Sequence, residues 1–325
     1  MKAWQVTEWS EPEGMHWNEV PVPEPAAGQV RIRTHAAALN FFDILQVQGK
    51  YQVKPPFPFT PGAEVSGVID AIGPDVDKFA IGDRVLAMPQ LGAFAEQVIS
   101  DVNRAFAVPA SMPFEQAAAF PIVYQTSWCA LITRGALKDG ETLLVHAGAS
   151  GVGMSAIQIG KSLGAKVIAT AGSQDKLDFA LAVGAEHAVN YSDPSWVDKV
   201  KDLTAGRGAD VIYDPVGGDV FDLSNKVIAP AGRHLVIGFA SGRIPALAAN
   251  RALLKNMSLV GVFWGGWVAA NPTYMEETHD SLMNWYKAGW INPRVESKYS
   301  LAEIPLALRD LANRKILGKA VVVPQ

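Results

Sequence analysis

Leu143-Leu144-Val145-His146-Ala147-Gly148-Ala149-Ser150-Gly151-Val152-Gly153 passes from an apolar run through a glycine-rich turn into a helical pattern. The run reads as a buried strand, and the helix has its amino end at the turn. The first N–H groups of a helix lack intrahelical acceptors and the helix dipole is positive there, so such a turn attracts a pyrophosphate. A dinucleotide is the natural guest. Gly148, Ser150 and Gly153 take the three glycine places of Gly-X-Gly-X-X-Gly, with serine in the middle place and Gly151 directly after it.

Outward from the turn the same alternation repeats. Gly164 closes the helix in the manner of a left-handed cap, and Lys166 to Thr170 follows as a second short apolar strand. An amphipathic segment from Asp175 to Val183 ends at Gly184. Next come a strand near Glu186 to Val189, a helix from Ser195 to Thr204, a strand at Asp210 to Tyr213 and a helical stretch from Asp219 to Ile228. The strand Arg233 to Ile237 and the run Ser258 to Phe263 complete the series. Strands alternating with helices specify an α/β domain with a doubly wound parallel sheet, a Rossmann domain, here expected over residues 122–265.

A chain of 325 residues is long for one core, and two domains of about 120 to 200 residues are expected. With 49% hydrophobic and 18% charged residues it has the composition of an ordinary globular chain. A formal charge of −4 supplies no clustered cationic surface for nucleic acid, so no nucleic-acid partner is expected. The single cysteine, Cys129, allows no intramolecular disulfide. No signal segment opens the chain and no apolar run is long enough for a bilayer, so the expectation is a cytoplasmic protein without a membrane partner. Cys129 lies in the apolar stretch Ser127 to Leu131 and reads as a packing residue.

Residues 1–121 differ in kind. Short alternating strands such as Gln29 to Thr34 and Glu64 to Ile72 are separated by proline and glycine punctuation, the pattern of a compact, partly open β-barrel. Beyond residue 265 two amphipathic helices, Thr273 to Ala288 and Leu301 to Asn313, precede a last strand, Lys319 to Val323. That strand needs a sheet, and the amino-terminal unit has edges to offer. Residues 266–325 are therefore expected to complete it, with the Rossmann domain inserted.

Several motifs occur in a telling order: Ala38-Leu39-Asn40-Phe41-Phe42-Asp43, Pro61-Gly62-Ala63-Glu64-Val65-Ser66-Gly67, Ile81-Gly82-Asp83-Arg84-Val85, the glycine turn, Val189-Asn190-Tyr191, and Gly318 to Pro324. Over almost its whole length the chain resembles the medium-chain dehydrogenase/reductase superfamily, and within it the zinc-free quinone oxidoreductase (zeta-crystallin-like) group. The resemblance implies a GroES-like catalytic domain around the Rossmann domain. Zinc-dependent relatives place a cysteine and a histidine ligand where this chain has Asn40 and Ala63. One cysteine also precludes the four-cysteine structural lobe, and the six histidines are scattered, so no metal site is expected.

Without a Lewis acid to stabilise an alkoxide, the acceptor must take hydride readily. Quinones do so through aromatic hydroquinone formation, and C=C bonds conjugated to carbonyl do so by spreading charge onto oxygen. The leading expectation is a quinone reductase. Two alternatives stand beside it: reduction of a 2-alkenal, enone or enoyl thioester, and a crystallin-like or RNA-binding protein that holds the cofactor without turnover.

NAD-preferring sites carry an acid about 20 residues beyond the first glycine. Ile168 to Gly172 contain none, and Ser173 and Lys176 follow, residues suited to a 2′-phosphate. NADPH is the expected cofactor, and the resemblance implies that Ser173, Lys176 and Tyr191 surround that phosphate. The backbone of Ser150, Gly151 and Val152 is expected to hold the pyrophosphate. By resemblance, Asn40 and Thr126 lie beside the nicotinamide ribose and carboxamide, Gly238-Phe239 and Phe263-Trp264 line the pocket wall, and Lys319 stands near the cofactor phosphates. Tyr51 resembles a pocket tyrosine that hydrogen-bonds or protonates a carbonyl oxygen, with Asn40 beside it as the second catalytic candidate. Phe41, Phe42, Trp264 and Trp267 are candidates for an aromatic slot. Finally, Ser258 to Phe263 is apolar on both faces and ends the sheet uncovered, so a homodimer through this strand is expected, as the resemblance also implies.

Overall fold

The computed structural model describes residues 1–324. Strands β1 (Lys2–Gln5) and β2 (His16–Glu19) pair antiparallel. In β3 (Gln29–Ala38) the alternate residues Val30, Ile32, Thr34 and Ala36 are buried, the period-two signature of a strand with one face in a core. Helix α1 (Phe41–Val47) starts just after Asn40. β4 (Val65–Ile72), β5 (Arg84–Ala87), β6 (Gln97–Asp101) and β7 (Ala105–Ala107) complete this run. β3 pairs antiparallel with β4 and β6, and β5 with β4 and β7.

Helices α2 (Phe114–Ala118) and α3 (Pro121–Trp128), then a π-helical turn over Cys129–Arg134, lead to the second sheet. Its strands are β8 (Thr142–Val145), β9 (Lys166–Ala171), β10 (His187–Asn190), β11 (Ala209–Asp214), β12 (Ile228–Val236) and β13 (Ser258–Gly261). All pairs are parallel, in the order β10-β9-β8-β11-β12-β13. The intervening helices are α4 (Gly151–Ser162), α5 (Gln174–Ala182), α6 (Trp196–Leu203), α7 (Gly218–Ser224) and α8 (Ala249–Lys255). The order reverses between β8 and β11, and in such sheets ligands bind outside the carboxyl ends of the strands at that switch. Every residue of β11 is buried, as expected of a central parallel strand covered on both faces.

After α9 (Trp264–Ala270) and α10 (Tyr274–Lys287) the chain returns to the first sheet with β14 (Val295–Ser300), α11 (Ile304–Ala312) and β15 (Lys319–Val323). β15 pairs antiparallel with β3 and parallel with β14, giving the order β14-β15-β3-β4-β5-β7 with β6 on β3. The last strand thus joins the sheet expected to host it. β14, α8 and α9 lacked a sequence signal, being short or interrupted by polar residues.

Two boundaries differ from expectation. The chain divides into compact units after Ile122 and after Asn292, so 266–292 pack with the parallel-sheet unit and not with the GroES-like one. The reason is polar and aromatic anchoring within that unit: Gln125 Nε2 donates to Met275 O at 2.9 Å, Thr133 and Tyr274 share a hydrogen bond, and Trp128 packs on Trp285 with ring centroids 5.0 Å apart. The second is the last Rossmann strand, which stops at Gly261. Phe263 caps α9 and Trp264 opens it, so neither is a strand residue.

The GroES-like unit has its core around Val30, Ile32, Val65, Phe94, Leu308 and Val322. In the other unit Leu144, Ile168, Trp196, Ile212 and Ile228 form a core of their own.

Candidate active site

The glycine turn forms as its residues dictate. His146 N–H continues the sheet by donating to Tyr213 O at 3.0 Å, Ala147 adopts φ +51°, and Gly148 N–H reaches Thr170 O at 2.9 Å. Ser150 is the N-cap of α4, its Oγ accepting from Gly153 N–H at 3.1 Å. A Cβ on Gly153 would lie 2.2 Å from Ala147 O, so only glycine lets the helix approach the turn this closely. Gly151 and Val152 lead the helix with N–H groups that have no acceptor inside it by position. The cradle fits a pyrophosphate.

Beneath the turn lies a buried polar layer. His146 Nε2 meets Ser224 Oγ at 2.7 Å, and Ser224 donates its proton to Val220 O at 2.6 Å. Ser224 must therefore accept from His146, which fixes the Nε2–H tautomer and makes Nδ1 the acceptor for Thr170 Oγ1 at 2.8 Å. Burial pushes His146 down to about 4, so the ring is neutral. One strand away, Asp214 Oδ2 pairs with His234 Nε2 at 3.1 Å while Oδ1 accepts from Val216 and Gly217 N–H at 2.8 and 2.9 Å. Burial opposes ionisation of Asp214, but His234, His146 and the Gly217 N–H together hold its carboxyl below its usual value. This carboxylate shapes the turn on which Gly238 and Phe239 rest. Ala240 N–H reaches Pro215 O, Ser241 N–H reaches Val216 O, and Phe239 lies over Gly217. Thr126 is half-buried beside Ser127, whose hydroxyl bonds those of Tyr213 and Ser155 at 2.9 and 2.7 Å.

At the carboxyl ends of β9 and β10, Tyr191 N–H donates to Ala171 O at 3.1 Å, and the Tyr191 ring lies against Gly172. Lys176 sits in the first turn of α5. Ser173 donates its hydroxyl to Asp175, and that hydrogen bond holds the exposed Asp175 carboxyl below its usual value. A phosphate at this place would have to take the Ser173 proton from Asp175.

Phe263 is exposed, and Trp264 and Trp267 lie three residues apart on α9. Both indole N–H groups are buried without a partner. Arg134 stacks over Trp267 at 5.3 Å from its centroid, and Tyr274 meets the same ring edge-on.

In the GroES-like unit the candidates gather around a buried cluster. Lys319 Nζ donates to Leu39 O, Asn40 Oδ1 and Glu64 Oε2 at 2.9, 2.8 and 2.9 Å. Asn40 Nδ2 donates to the same Glu64 Oε2 at 2.9 Å, and Glu64 Oε1 accepts from Ile122 N–H at 2.7 Å. This corrects the expectation for Lys319. All three of its ammonium protons are used inside the unit, and the residue is 3% exposed, so as placed here it has no proton left for a cofactor phosphate. Asp43 is fully buried beside the cluster, Oδ2 accepting from Asn40 N–H at 2.7 Å and Oδ1 unpartnered. Burial pushes its carboxyl up to about 7.

Tyr51 stacks on Phe42 with centroids 5.4 Å apart, while Phe41 is exposed. Burial and the charge of Asp43 raise the Tyr51 hydroxyl above its ordinary value, which makes it a hydrogen-bond donor more than an acid. A catalytic zinc ion does not fit this donor set. Asn40 Oδ1 is held by an ammonium and Ala63 has no donor atom. Among the described residues no group of three histidine, cysteine or acidic side chains is placed to hold a metal.

The nominated residues thus fall into two sets: Asn40, Phe41, Phe42, Tyr51 and Lys319 in the GroES-like unit, the rest in the Rossmann unit. Glu64, Asp43, His146, Asp214 and His234 were not nominated. A lone acid in the apolar stretch Pro61–Gly67 and a histidine directly after an apolar strand were the available signals.

Residues 26–110 match the alcohol dehydrogenase GroES-like domain and residues 151–281 the zinc-binding dehydrogenase domain. The mouse quinone oxidoreductase-like protein 2 is 38% identical, over 92% of this chain and 86% of its own length. The chain belongs to the medium-chain dehydrogenase/reductase superfamily, in its quinone oxidoreductase group. An Escherichia coli quinone oxidoreductase solved in complex with NADPH superposes on this quinone oxidoreductase-group chain with a TM-score of 0.92 over the full length of both, at 28% identity. The CurK enoyl reductase does so with a TM-score of 0.90 at 26% identity, covering all of this chain and 99% of its own. Like them it is an α/β oxidoreductase fold, and among the described residues no helix is long and apolar enough to cross a membrane.

Proposed function

We propose that this protein transfers reducing equivalents from NADPH to quinones without the help of a metal ion. One observation carries the reading. The Ser150-capped turn at the switch point of the sheet is a pyrophosphate cradle, in a chain whose fold is shared end to end by a quinone oxidoreductase solved with NADPH. The stretch Ile168–Gly172 carries no acid to repel a 2′-phosphate, and in this reading Ser173, Lys176 and Tyr191 surround that phosphate, as the family resemblance implies.

NADPH supplies the hydride from its nicotinamide. Ser150, Gly151 and Val152 hold the pyrophosphate through the backbone. Asn40, Thr126, Gly238, Phe239, Phe263 and Trp264 serve the nicotinamide half. Phe41, Tyr51, Trp264 and Trp267 flank a flat acceptor, Tyr51 donating a hydrogen bond to its oxygen. The buried ammonium of Lys319 stands against Asn40 Oδ1, so the acceptor must be one that needs no Lewis acid, as quinones are.

A second reading, reduction of a C=C bond conjugated to carbonyl, is favoured by the likeness to an enoyl reductase. NADPH oxidation measured with naphthoquinone, phenanthrenequinone, a 2-alkenal and crotonyl-CoA separates the two. Turnover confined to the quinones supports the proposal, and turnover confined to the alkenal or thioester replaces it with the second reading. Tight NADPH binding with no turnover of any acceptor makes the protein a cofactor-binding one without catalysis. A homodimer through β13 and a cytoplasmic location belong to the same reading.

A further inference from the structure

We infer that Lys319 and Glu64 are positioning residues that lock the Asn40 amide in one orientation, leaving a single Nδ2–H to bind the nicotinamide half of NADPH. The inference rests on the NADPH reading above and deepens it.

Strand pairing assembles the group. β15 runs antiparallel to β3 with Val321 opposite Ala38 and Val322 opposite Ala37, a register that carries Lys319 to the level of Asn40 just beyond the end of β3. Ala38 N–H bonds Glu64 O at 3.1 Å, which brings Glu64 to the other side of the same chain end. Asn40 is held between an ammonium and a carboxylate, with Oδ1 2.8 Å from Lys319 Nζ and Nδ2 2.9 Å from Glu64 Oε2.

An asparagine amide has nearly the same shape when its O and N are exchanged, so packing alone does not choose between the two orientations. Charge does. The flipped amide would set its NH2 against the ammonium and its oxygen against the carboxylate, both repulsive in a site where Lys319 is 3% and Glu64 0% exposed. A buried ion pair of this kind contributes little net stability compared with apolar residues of the same size, so directing Asn40 is the better account of its presence. With Oδ1 and one N–H committed inward, Asn40 retains one donor, and the residue is 7% exposed.

The test uses the full chain with NADPH and nitrogen-15-labelled asparagine. The Asn40 side-chain signal is identified by its loss in Asn40→Asp. In the wild type its two amide protons should differ, the one facing Glu64 exchanging slowly with solvent, and NADPH should shift and protect the other. The paired variant Lys319→Met/Glu64→Gln removes both charges while keeping an acceptor for Ile122 N–H, so no buried ion is left alone. It should lower kcat/KM with a quinone about tenfold, as Asn40→Ala should, and the triple variant should lose no more.

A paired variant that folds and keeps wild-type kcat/KM and wild-type amide signals overturns the inference. So does an Asn40 amide that NADPH leaves unmoved, a result obtained on the wild type even where the paired variant fails to fold. NADPH binding is measured separately by calorimetry. Binding with an unmoved amide sinks this inference alone, and no binding at all sinks the cofactor reading with it.

Discussion

Asp43 is a carboxyl group that the fold has moved from the surface chemistry of an acid to that of a buried neutral group. Burial raises it to about 7, against about 3.9 in an unfolded chain, so between those values the folded state holds one proton more than the unfolded state. Its contribution is fully present below about pH 4 and is lost as pH rises through 7, with a slope of about 1.4 kcal/mol per pH unit. His146 has the opposite sign. Burial lowers it to about 4, so its contribution is present above about pH 6.5 and is lost as pH falls towards 4. In the window between, the two slopes oppose each other. Asp43→Asn should leave the His146 slope exposed, and urea unfolding from pH 4.5 to 6.5 should show the variant losing stability towards acid more steeply than the wild type. Equal slopes would mean that Asp43 is ionised when folded.

Lys176 carries the second residue-scale prediction. At the first turn of α5 it supplies a cation beside Ser173, whose own hydroxyl is engaged by Asp175. Lys176→Glu should cut the ratio of NADPH to NADH affinity at least tenfold in calorimetric titrations, and an unchanged ratio would remove Lys176 from the 2′-phosphate site.

At the scale of elements, the junction of β8 with α4 depends on one missing side chain. A methyl group on Gly153 would overlap Ala147 O, a backbone atom that moves only if the turn opens. Gly153→Ala should therefore tilt α4 away from the turn, lower the melting temperature by several degrees and weaken NADPH binding more than tenfold. Wild-type affinity in a folded variant would mean that the pyrophosphate does not use this turn. The element series itself was legible in the sequence. Strand-to-helix alternation from Leu143 to Gly261 follows from apolar runs closed by glycine, a local signal. β14 was not legible, because Val295–Ser300 alternates with charged residues and becomes a strand only through its pairing with β15. Likewise the end of β13 was misplaced, since the apolar pair Val262-Phe263 looks the same whether it continues a strand or starts a helix.

For the whole molecule, the open edge of the parallel sheet is the feature with a consequence. β13 pairs with β12 on one side only, and Leu259 is 47% exposed on it. An uncovered strand of this kind pairs readily with its twin across a two-fold axis. Sedimentation should give a dimer mass for the wild type and a monomer mass for Leu259→Lys combined with Val260→Pro, which places a charge and a missing N–H on that edge. A monomeric wild type at all concentrations refutes the dimer.

Taken alone, the residues of this chain determined its dinucleotide turn, its parallel-sheet order of strands and helices and the lack of an acid after Ile168. Each is a matter of residue type at short separation, where local sterics and hydrogen-bonding capacity decide. Only the tertiary structure decided that Lys319 belongs with Glu64 and Asn40, since strand pairing across 279 residues brings the ammonium to Asn40 Oδ1. It alone placed residues 266–292 with the Rossmann unit, and it alone gave Asp43 and His146 their unusual protonation, because burial and the charges of distant segments are properties of packing that no local pattern carries.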